Sequence, residues 1–399
     1  ERMASQNWMN ELWKELTTPP SFMNRGSDRP VAPKPPQQTQ AKTKDWKEDL
    51  EETEEPEPSV KDINLILRAN GFPPRVGNQY PFVVQGAVPY GSVMRLDTSV
   101  GPVALKRSHA SPQRLQFMGR ALQHLEKKGF LRHARIVPNV EGDLFTPYRD
   151  HFFYVTRWVK GQSTDLSSMV HVSDAASAIA EMHHLSRGFQ TSGYKPHGAF
   201  DLEKVLKSRV KELDSFLVKA QGKRRPDAVD RFVVKQLPTY KRQAQQALKL
   251  LADPKCREFL QADSANPGLC HLDITPQNLI YAARGGIHLI DFEMISYGPR
   301  MLDIGHFVRR TLQANNWSRE PAILTLVQVN RVEPLRFAEY RILQTLLTFP
   351  HSAWRSIRNH YRNPTPYTLA RLEQLQEQET DRQAFLDDFA AQVERYKGK

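Results

Sequence analysis

The sequence contains few cysteines and no long apolar run. Cys256 and Cys270 are its only cysteines, and neither their number nor their spacing indicates a metal site or a disulfide framework. Two isolated cysteines fit a chain made in a reducing compartment. No apolar run reaches the roughly 20 residues of a membrane span, and the N-terminus lacks the apolar core of a secretory signal. We therefore expect synthesis in the cytoplasm and no membrane partner.

The first 60 residues are poor in apolar side chains and rich in Pro, Gln, Lys and Glu. Residues Asp45–Pro58 hold eight acids and one lysine, a net charge of −7. Such a composition buries too little apolar area to offset chain entropy, so residues 1–60 are predicted to form a disordered arm. Within it, Trp8–Leu16 has apolar residues at helical spacing, which indicates either a short docking helix or a transient helix in a free tail.

The whole chain carries a net charge of +12, so the part outside the acidic stretch carries 12 + 7 = +19. A surface of this charge attracts nucleotides, acidic proteins or anionic polymers. The basic run Lys223–Arg225 is a candidate patch for binding nucleic acid. Because no helix-turn-helix, zinc ligand set or RNA-binding motif accompanies it, we interpret this run first as a solvated loop and second as a polyanion site. No specific nucleic-acid partner is expected.

The run HLDITPQN, from His271 to Asn278, has the form HxDxxxxN, and it is followed by LIDFE from Leu289 to Glu293. Phosphoryl transfer needs a carboxylate beside the acceptor hydroxyl and oxygen ligands for Mg²⁺ on the nucleotide phosphates. Asp273 can serve as the first, and Asn278 and Asp291 as the second. An isolated HxD would favour an ordinary β-hairpin with polar ends, but the full run at both spacings argues against that interpretation.

The geometry of a β-hairpin would bring Asn278 and Asp291 together. Residues 278–283 and 287–291 are predicted to be two strands of a hairpin. If the turn centres between Arg284 and Gly285, Asn278 lies opposite Asp291, roughly 5 Å away in an antiparallel pair. One metal ion, about 2.1 Å from each oxygen, can then bind both residues.

A candidate nucleotide cradle lies upstream. Residues 82–86 are predicted to form a strand, and Gly86 and Gly91 match the outer glycines of GxGxxGxV, with Val88 in place of the middle one. Two further short strands follow, and the second ends at Lys106. This order is that of the roof of a kinase-like ATP site, in which the lysine contacts the phosphates and the glycine loop covers them. The glycine pair alone would favour a simple β-meander.

Residues from about 60 to 390 resemble the kinase-like superfamily of aminoglycoside phosphotransferases and choline kinases, and within it the CotS/YutH spore coat family. The matching runs are Gly101–Arg107, Leu122–Phe130, Phe153–Gly161 and Ile179–Phe189, together with Glu333, Pro350 and Trp354 late in the chain. The resemblance implies an α+β, bilobed, protein-kinase-like fold. It places a small β-rich lobe at 61–157 and a mainly helical lobe at 158–399.

The same resemblance implies roles for further residues. The backbone around Thr156 and Val159 meets the adenine of ATP or GTP, and Glu293 is a second metal ligand or an acceptor contact. Asp303 braces the catalytic loop, which His271 organises without moving a proton. The implied partners are a nucleotide, Mg²⁺, an unknown hydroxyl acceptor and, through the N-terminal arm, spore coat proteins. The implied location is the spore coat, or otherwise the cytoplasm.

Departures from the kinase pattern leave alternatives open. Leu272 replaces the arginine of protein kinases, and Glu293 replaces their glycine, which argues against a regulated protein kinase. The helix after Lys106 offers Gln116 and Gln123 at its centre, so Glu126 near its end is the acid available to pair with the lysine. Three functions follow: a spore coat protein that is an ATP-dependent phosphotransferase, a weak or inactive structural component of the coat, or a metabolic kinase of the choline or aminoglycoside type.

Overall fold

The computed structural model describes residues 60–191, 201–282 and 285–396. The predicted arm at 1–60, with its acidic stretch and the Trp8–Leu16 segment, lies outside the described residues except for Val60. Over the described ranges the chain is a mixed α+β structure with a β-sheet in its N-terminal part and helices in its C-terminal part, as predicted. None of the described helices combines the length and apolarity needed to cross a membrane.

The main sheet is antiparallel and has the strand order β1-β2-β3-β6-β4, with β5 paired to β6. Its strands are β1 Val84–Tyr90, β2 Val93–Thr98, β3 Val103–Ser108, β4 Ile136–Val137, β5 Thr146–Tyr148 and β6 His151–Arg157. Helix α1 (Val60–Ala69) packs on one face, where its Leu67 meets Met94, Leu105 and Phe153 in a buried cluster. Alternation along β2 supplies that face, because Met94 and Leu96 are fully buried while their neighbours are partly exposed.

Helix α2 (Pro112–Lys127) follows β3 in the chain and packs against the helical part. Ser111 caps it by accepting a hydrogen bond from the Arg114 amide, and proline occupies its first turn. Its buried residues, among them Phe117 and Leu122, share a core with helix α3 (Met169–Leu185) and with the segment Leu269–Ile295. This cluster therefore holds the segment that carries Asp273, Asn278 and Asp291, whereas the apolar residues of β3 beside Lys106 belong to the cluster under α1.

The C-terminal part consists of helices with two small β-structures. The helices after α3 are α4 Leu202–Gly222, α5 Ala228–Leu251, α6 Pro254–Ala265, α7 Met301–Ala314, α8 Glu320–Val332, α9 Phe337–Thr348, α10 His351–Arg362, α11 Thr368–Glu377 and α12 Glu379–Tyr396. The strands are β7 Gly161–Ser163, β8 Leu269–Cys270, β9 Leu279–Ala282, β10 Gly286–Leu289 and β11 Ser296–Tyr297, which form the sheets β10-β9-β7 and β11-β8. Gly161 permits the approach of β7, since an added Cβ would lie 2.4 Å from the Tyr281 carbonyl oxygen.

A buried histidine precedes β4. The ring of His133 is 3% exposed and stacks on Phe130 with centroids 5.7 Å apart. Burial, assisted by the charges of Arg135 and His288, lowers its pKa to about 4. The ring is therefore neutral in the folded protein at neutral pH.

This depressed pKa predicts acid sensitivity. Between pH 6.5 and about 4 the unfolded chain binds a proton that folded His133 does not, so the free energy of unfolding falls as pH falls through this window. The contribution is about 3 kcal/mol at most. We expect His133→Phe to flatten this part of the profile in urea titrations at a series of pH values. The same substitution at exposed His109 should leave the wild-type profile, and an equally steep His133→Phe profile would contradict the assignment.

Candidate active site

The hairpin that carries Asn278 and Asp291 forms, but its register differs from the predicted one. Leu279 pairs with Leu289 and Ala282 with Gly286, and the Ile290 amide donates to the Asn278 carbonyl at 2.9 Å. Asn278 therefore faces Ile290, one residue before Asp291, and the predicted direct pairing with Asp291 is wrong. The two side chains still lie at the same end of the hairpin.

The loop from His271 to Asp273 is held by buried polar contacts. The His271 Nε2–H donates to the Ile290 carbonyl at 2.9 Å, while Nδ1 accepts from the Asp273 amide at 3.2 Å. Both ring nitrogens are thereby satisfied by a neutral imidazole, and burial lowers the pKa of His271. This arrangement agrees with an organising role and leaves the ring no free nitrogen for proton transfer.

Asp303 is fully buried under the same loop. Its Oδ2 accepts from the His271 amide at 2.6 Å and from His183 Nε2 at 2.9 Å, and its Oδ1 accepts from the Leu272 amide at 2.8 Å. Leu272 adopts a left-handed backbone with φ 63°, which costs a non-glycine residue of order 1–3 kcal/mol. The carboxylate of Asp303 holds this strained turn in place and so fixes the direction of the next residue, Asp273.

Asp273 and Asn278 contact each other. Asn278 Nδ2 donates to Asp273 Oδ2 at 2.8 Å and to the Asp273 carbonyl at 2.9 Å. Because its amide nitrogen is committed to Asp273, the Oδ1 atom of Asn278 is the one left to act as a ligand. The short 3₁₀ turn Pro276–Asn278 brings the two residues together across the loop.

Asp291 links this loop to the main sheet. Its Oδ1 lies 3.0 Å from Lys106 Nζ, and its side chain is 42% exposed while that of Lys106 is 12% exposed. Asp291 also has a left-handed backbone with φ 66°, a conformation that is uncommon outside glycine and often marks functional sites. A carboxylate and an amide oxygen are ligands that Mg²⁺ accepts. The donor set of Asn278 and Asp291 therefore fits a magnesium ion.

The carboxylate of Glu293 accepts two hydrogen bonds from the main sheet. Tyr154 donates its hydroxyl to Oε1 at 2.9 Å, and Ser108 donates to Oε2 at 3.2 Å. Arg114, at the start of α2, donates from Nε to the Glu293 carbonyl at 2.9 Å. Burial, with the charges of Glu293 and Asp291, raises the pKa of Tyr154 well above its ordinary value, so its hydroxyl stays protonated and keeps donating.

Glu126 does not contact Lys106. It forms an ion pair with Arg135 at 3.3 Å, at the end of α2. The carboxylate that pairs with Lys106 is that of Asp291, and the Tyr154 ring beside Lys106 donates its hydroxyl to Glu293. The lysine thus obtains a carboxylate partner from the hairpin instead of from α2.

The glycine-containing segment is a β-hairpin. The predicted strand 82–86 begins at Val84 and continues to Tyr90, so Gly86 lies within a strand and not in a loop. Tyr90 pairs with Val93, which confines the turn to Gly91 and Ser92, and Gly91 adopts φ 60°. Val88 pairs with Arg95 without a break in the ladder, and this regular pairing explains why the strand extends through the predicted loop.

The predicted adenine contact lies at the end of β6. Thr156 is a buried strand residue that pairs with Ala104 and Ile136, and Val159 follows the strand before β7. This segment connects the main sheet to the helical part.

Of the residues at the site, sequence reasoning did not single out Tyr154, Ser108 or Arg114. A sequence signal existed for Ser108, which lies two residues beyond Lys106 on the same strand face. The pairing of Tyr154 with Lys106 across the sheet is visible only in the structure.

Comparisons with known proteins agree with this architecture. Residues 91–332 match the "Phosphotransferase enzyme family". A curated relative, spore coat protein S of Bacillus subtilis strain 168, is 22% identical over 264 residues, which is 65% of this chain and 74% of that protein.

Solved structures show the same fold. An aminoglycoside phosphotransferase of Alicyclobacillus acidocaldarius is 30% identical, with a TM-score of 0.73 over 80% of this chain and 95% of that one. An amicoumacin kinase in complex with AMP-PNP and Ca²⁺ has a TM-score of 0.54 at 14% identity, over 82% and 94% of the two chains. The kinase-like fold and the resemblance to aminoglycoside phosphotransferases and a spore coat protein are thereby confirmed.

Proposed function

This chain belongs to the phosphotransferase enzyme family, and we propose that it transfers the γ-phosphoryl group of ATP or GTP to a hydroxyl of a small molecule, with Mg²⁺. The observation that carries the proposal is the 3.0 Å ion pair of Lys106 and Asp291, formed beside the contact of Asp273 with Asn278. These contacts support a proposal in which Lys106 is the phosphate-binding cation, Asn278 and Asp291 are the metal ligands and Asp273 is the base.

Each residue has a distinct task in this proposal. Asp273 orients the acceptor hydroxyl and takes its proton while the acceptor oxygen attacks the γ-phosphorus. The bond from that phosphorus to the bridging oxygen breaks, and the nucleoside diphosphate leaves with its electrons. Lys106 binds the phosphates, Asn278 and Asp291 bind the metal, and Glu293 is a further ligand or acceptor contact. When bound, Mg²⁺ neutralises phosphate charge during the transfer.

The nucleotide is covered and positioned by the main sheet. We propose that the hairpin with Gly86 and Gly91 lies over the phosphates, and that backbone groups from Thr156 to Val159 meet the base. The amicoumacin kinase of the same fold holds AMP-PNP and a divalent cation, which supports a nucleotide and a metal as the ligands here.

A role in the spore coat is a second candidate, favoured by the similarity to spore coat protein S. A coat protein with a kinase fold can be an active phosphotransferase. It can equally be a structural component that has lost this activity. In this proposal residues 1–60 serve as an attachment arm for other coat proteins. Deleting them should prevent incorporation into the coat, and normal incorporation of the truncated chain would contradict the attachment role.

The phosphotransferase proposal predicts stabilisation by Mg²⁺–ATP. A ligand that binds only the folded protein adds about 2.7 kcal/mol at a hundredfold excess over its Kd, which corresponds to a rise in Tm of roughly 5 °C. Thermal unfolding with millimolar Mg²⁺–ATP measures this directly. Lys106→Met should reduce the shift, since the phosphates lose their cation. No shift in the well-folded wild-type chain would reject the active-kinase proposal and leave the structural one.

A further inference from the structure

Helix α7 leads from the catalytic loop into a group of cationic side chains. Asp303, His306 and Arg310 lie at positions i, i+3 and i+7 and therefore share one face of the helix. Asp303 contacts the loop residues before Asp273. Burial and the charge of Arg355 lower the pKa of Arg310, and the Asp273 carboxylate opposes them. Arg310 therefore lies on the side of α7 whose Asp303 is hydrogen-bonded to the loop before the candidate base.

Two more helices contribute to this group. Arg209 on α4 donates to His351 Nδ1 on α10 at 3.2 Å, and the His351 ring lies 5.8 Å from that of His306, centroid to centroid. We call the following residues the acceptor-side cluster: Arg209, His306, Arg309, Arg310, His351 and Arg355. Arg309 and His351 also line a cavity with Tyr240, Trp317 and Phe349.

Three arginines of the cluster form no ion pair within the described part of the chain. Among the described residues, no carboxylate oxygen lies within ion-pair distance of Arg309, Arg310 or Arg355, and Arg309 is 9% exposed with its Nε unpaired. The buried Nε2 of His306 also has no hydrogen-bond partner in this part of the chain. The nearby Glu212 is engaged by Trp354 and Arg358. Glu379, across the cavity, pairs with Arg382.

These like charges affect one another. Burial and the charges of Arg310, Arg209 and Arg355 together lower the pKa of Arg309 to about 9. Burial and the surrounding arginines likewise push the pKa of His306 and of His351 well below the ordinary value. Buried charges without partners are costly, and a buried polar group without a partner indicates a missing ligand or a functional role. An anion is the ligand that would satisfy this cluster.

We infer that the acceptor of this site is an anion: a small hydroxyl compound that also bears a carboxylate, phosphate or sulfate group. The inference rests on the proposed phosphotransferase function and specifies its substrate class. The anionic group binds Arg310 and its neighbours, and this contact directs the hydroxyl toward Asp273. An acceptor rich in ammonium groups, such as an aminoglycoside, brings positive charge to a positive site and is disfavoured.

Binding titrations with charge-matched compounds test this inference. Each set holds an anion, a neutral compound and an amine of similar shape: D-glucuronate, D-glucose and D-glucosamine in one, and glycerate, glycerol and 3-amino-1,2-propanediol in the other. Calorimetry on the full chain, with and without Mg²⁺–AMP-PNP, gives the affinities. We expect an anion to bind at least tenfold more tightly than its amine counterpart.

Substitutions connect that preference to the cluster. Arg310→Glu should remove or invert the order of affinities. If the reversed charge impairs folding, Arg310→Gln takes its place and should reduce the difference in affinity between the anion and the amine. Arg362→Glu makes the same change in charge at an exposed position on α10 and should keep the wild-type order. Tighter binding of the amines, no binding of any anion, or an unchanged order in both Arg310 variants would overturn the inference. Loss of AMP-PNP binding with retained anion preference would reject only the phosphotransferase proposal.

Discussion

Asp273→Asn should lower the rate of phosphoryl transfer by roughly 10²–10⁴-fold, the usual contribution of a positioned general base. An asparagine at this position retains an oxygen that can accept the 2.8 Å hydrogen bond from Asn278, so the loop should keep its geometry. Asp273 contacts neither Lys106 nor the main sheet in the described structure, and nucleotide affinity should therefore change little. Single-turnover transfer and calorimetric titration with Mg²⁺–AMP-PNP separate the two effects.

Asp291→Asn provides the contrast. This residue contacts Lys106 and is the proposed metal ligand, so its replacement should weaken Mg²⁺-dependent nucleotide binding as well as transfer. Asp214→Asn is a matched control, because Asp214 pairs with Lys241 at a partly exposed position between α4 and α5. If the variants at 273 and 291 lose nucleotide binding equally, the proposed division of roles is wrong.

The candidate site residues could be selected from the sequence because they occupy short, ordered motifs. The run from His271 to Asn278 needs few residues to bring a carboxylate and an amide together, and local hydrogen bonds suffice for it. The hairpin register was not predictable, since one residue more or less in the turn moves every pair. The extent of β1 was missed for a related reason, because pairing with β2 determines where Gly86 lies.

The partner of Lys106 depends on long-range packing. From spacing, Glu126 was the acid of α2 available to it, but its position near the end of the helix places it beside Arg135. Asp291, 185 residues later in sequence, supplies the contact. The acceptor-side cluster was equally inaccessible, because α4, α7 and α10 contribute to it from distant parts of the chain. Neither motif nor periodicity relates Arg209, Arg310 and His351.

Asp303→Ala should destabilise the fold by about 3–5 kcal/mol, the usual cost of breaking a buried charged network by removing one partner. The substitution leaves two buried peptide N–H groups, of His271 and Leu272, and the ring of His183 without their acceptor. Each unsatisfied group costs about 1–3 kcal/mol. The strained backbone of Leu272 also loses the contact that holds it. The rate of phosphoryl transfer by the protein that remains folded should therefore fall as well.

Urea unfolding of Asp303→Ala and of a matched surface variant measures this effect. Asp214→Ala removes a carboxylate that pairs with Lys241 at a partly exposed position, and surface pairs contribute at most about 1 kcal/mol. The free energy of unfolding of Asp303→Asn should lie between those of the two alanine variants. Asparagine keeps one acceptor oxygen, but its side-chain NH₂ group faces another hydrogen-bond donor. Nucleotide-independent loss of stability in both Asp303 variants is expected. If Asp303→Ala were no less stable than Asp214→Ala, the carboxylate would not be bracing the catalytic loop, and the orientation of Asp273 would need another cause.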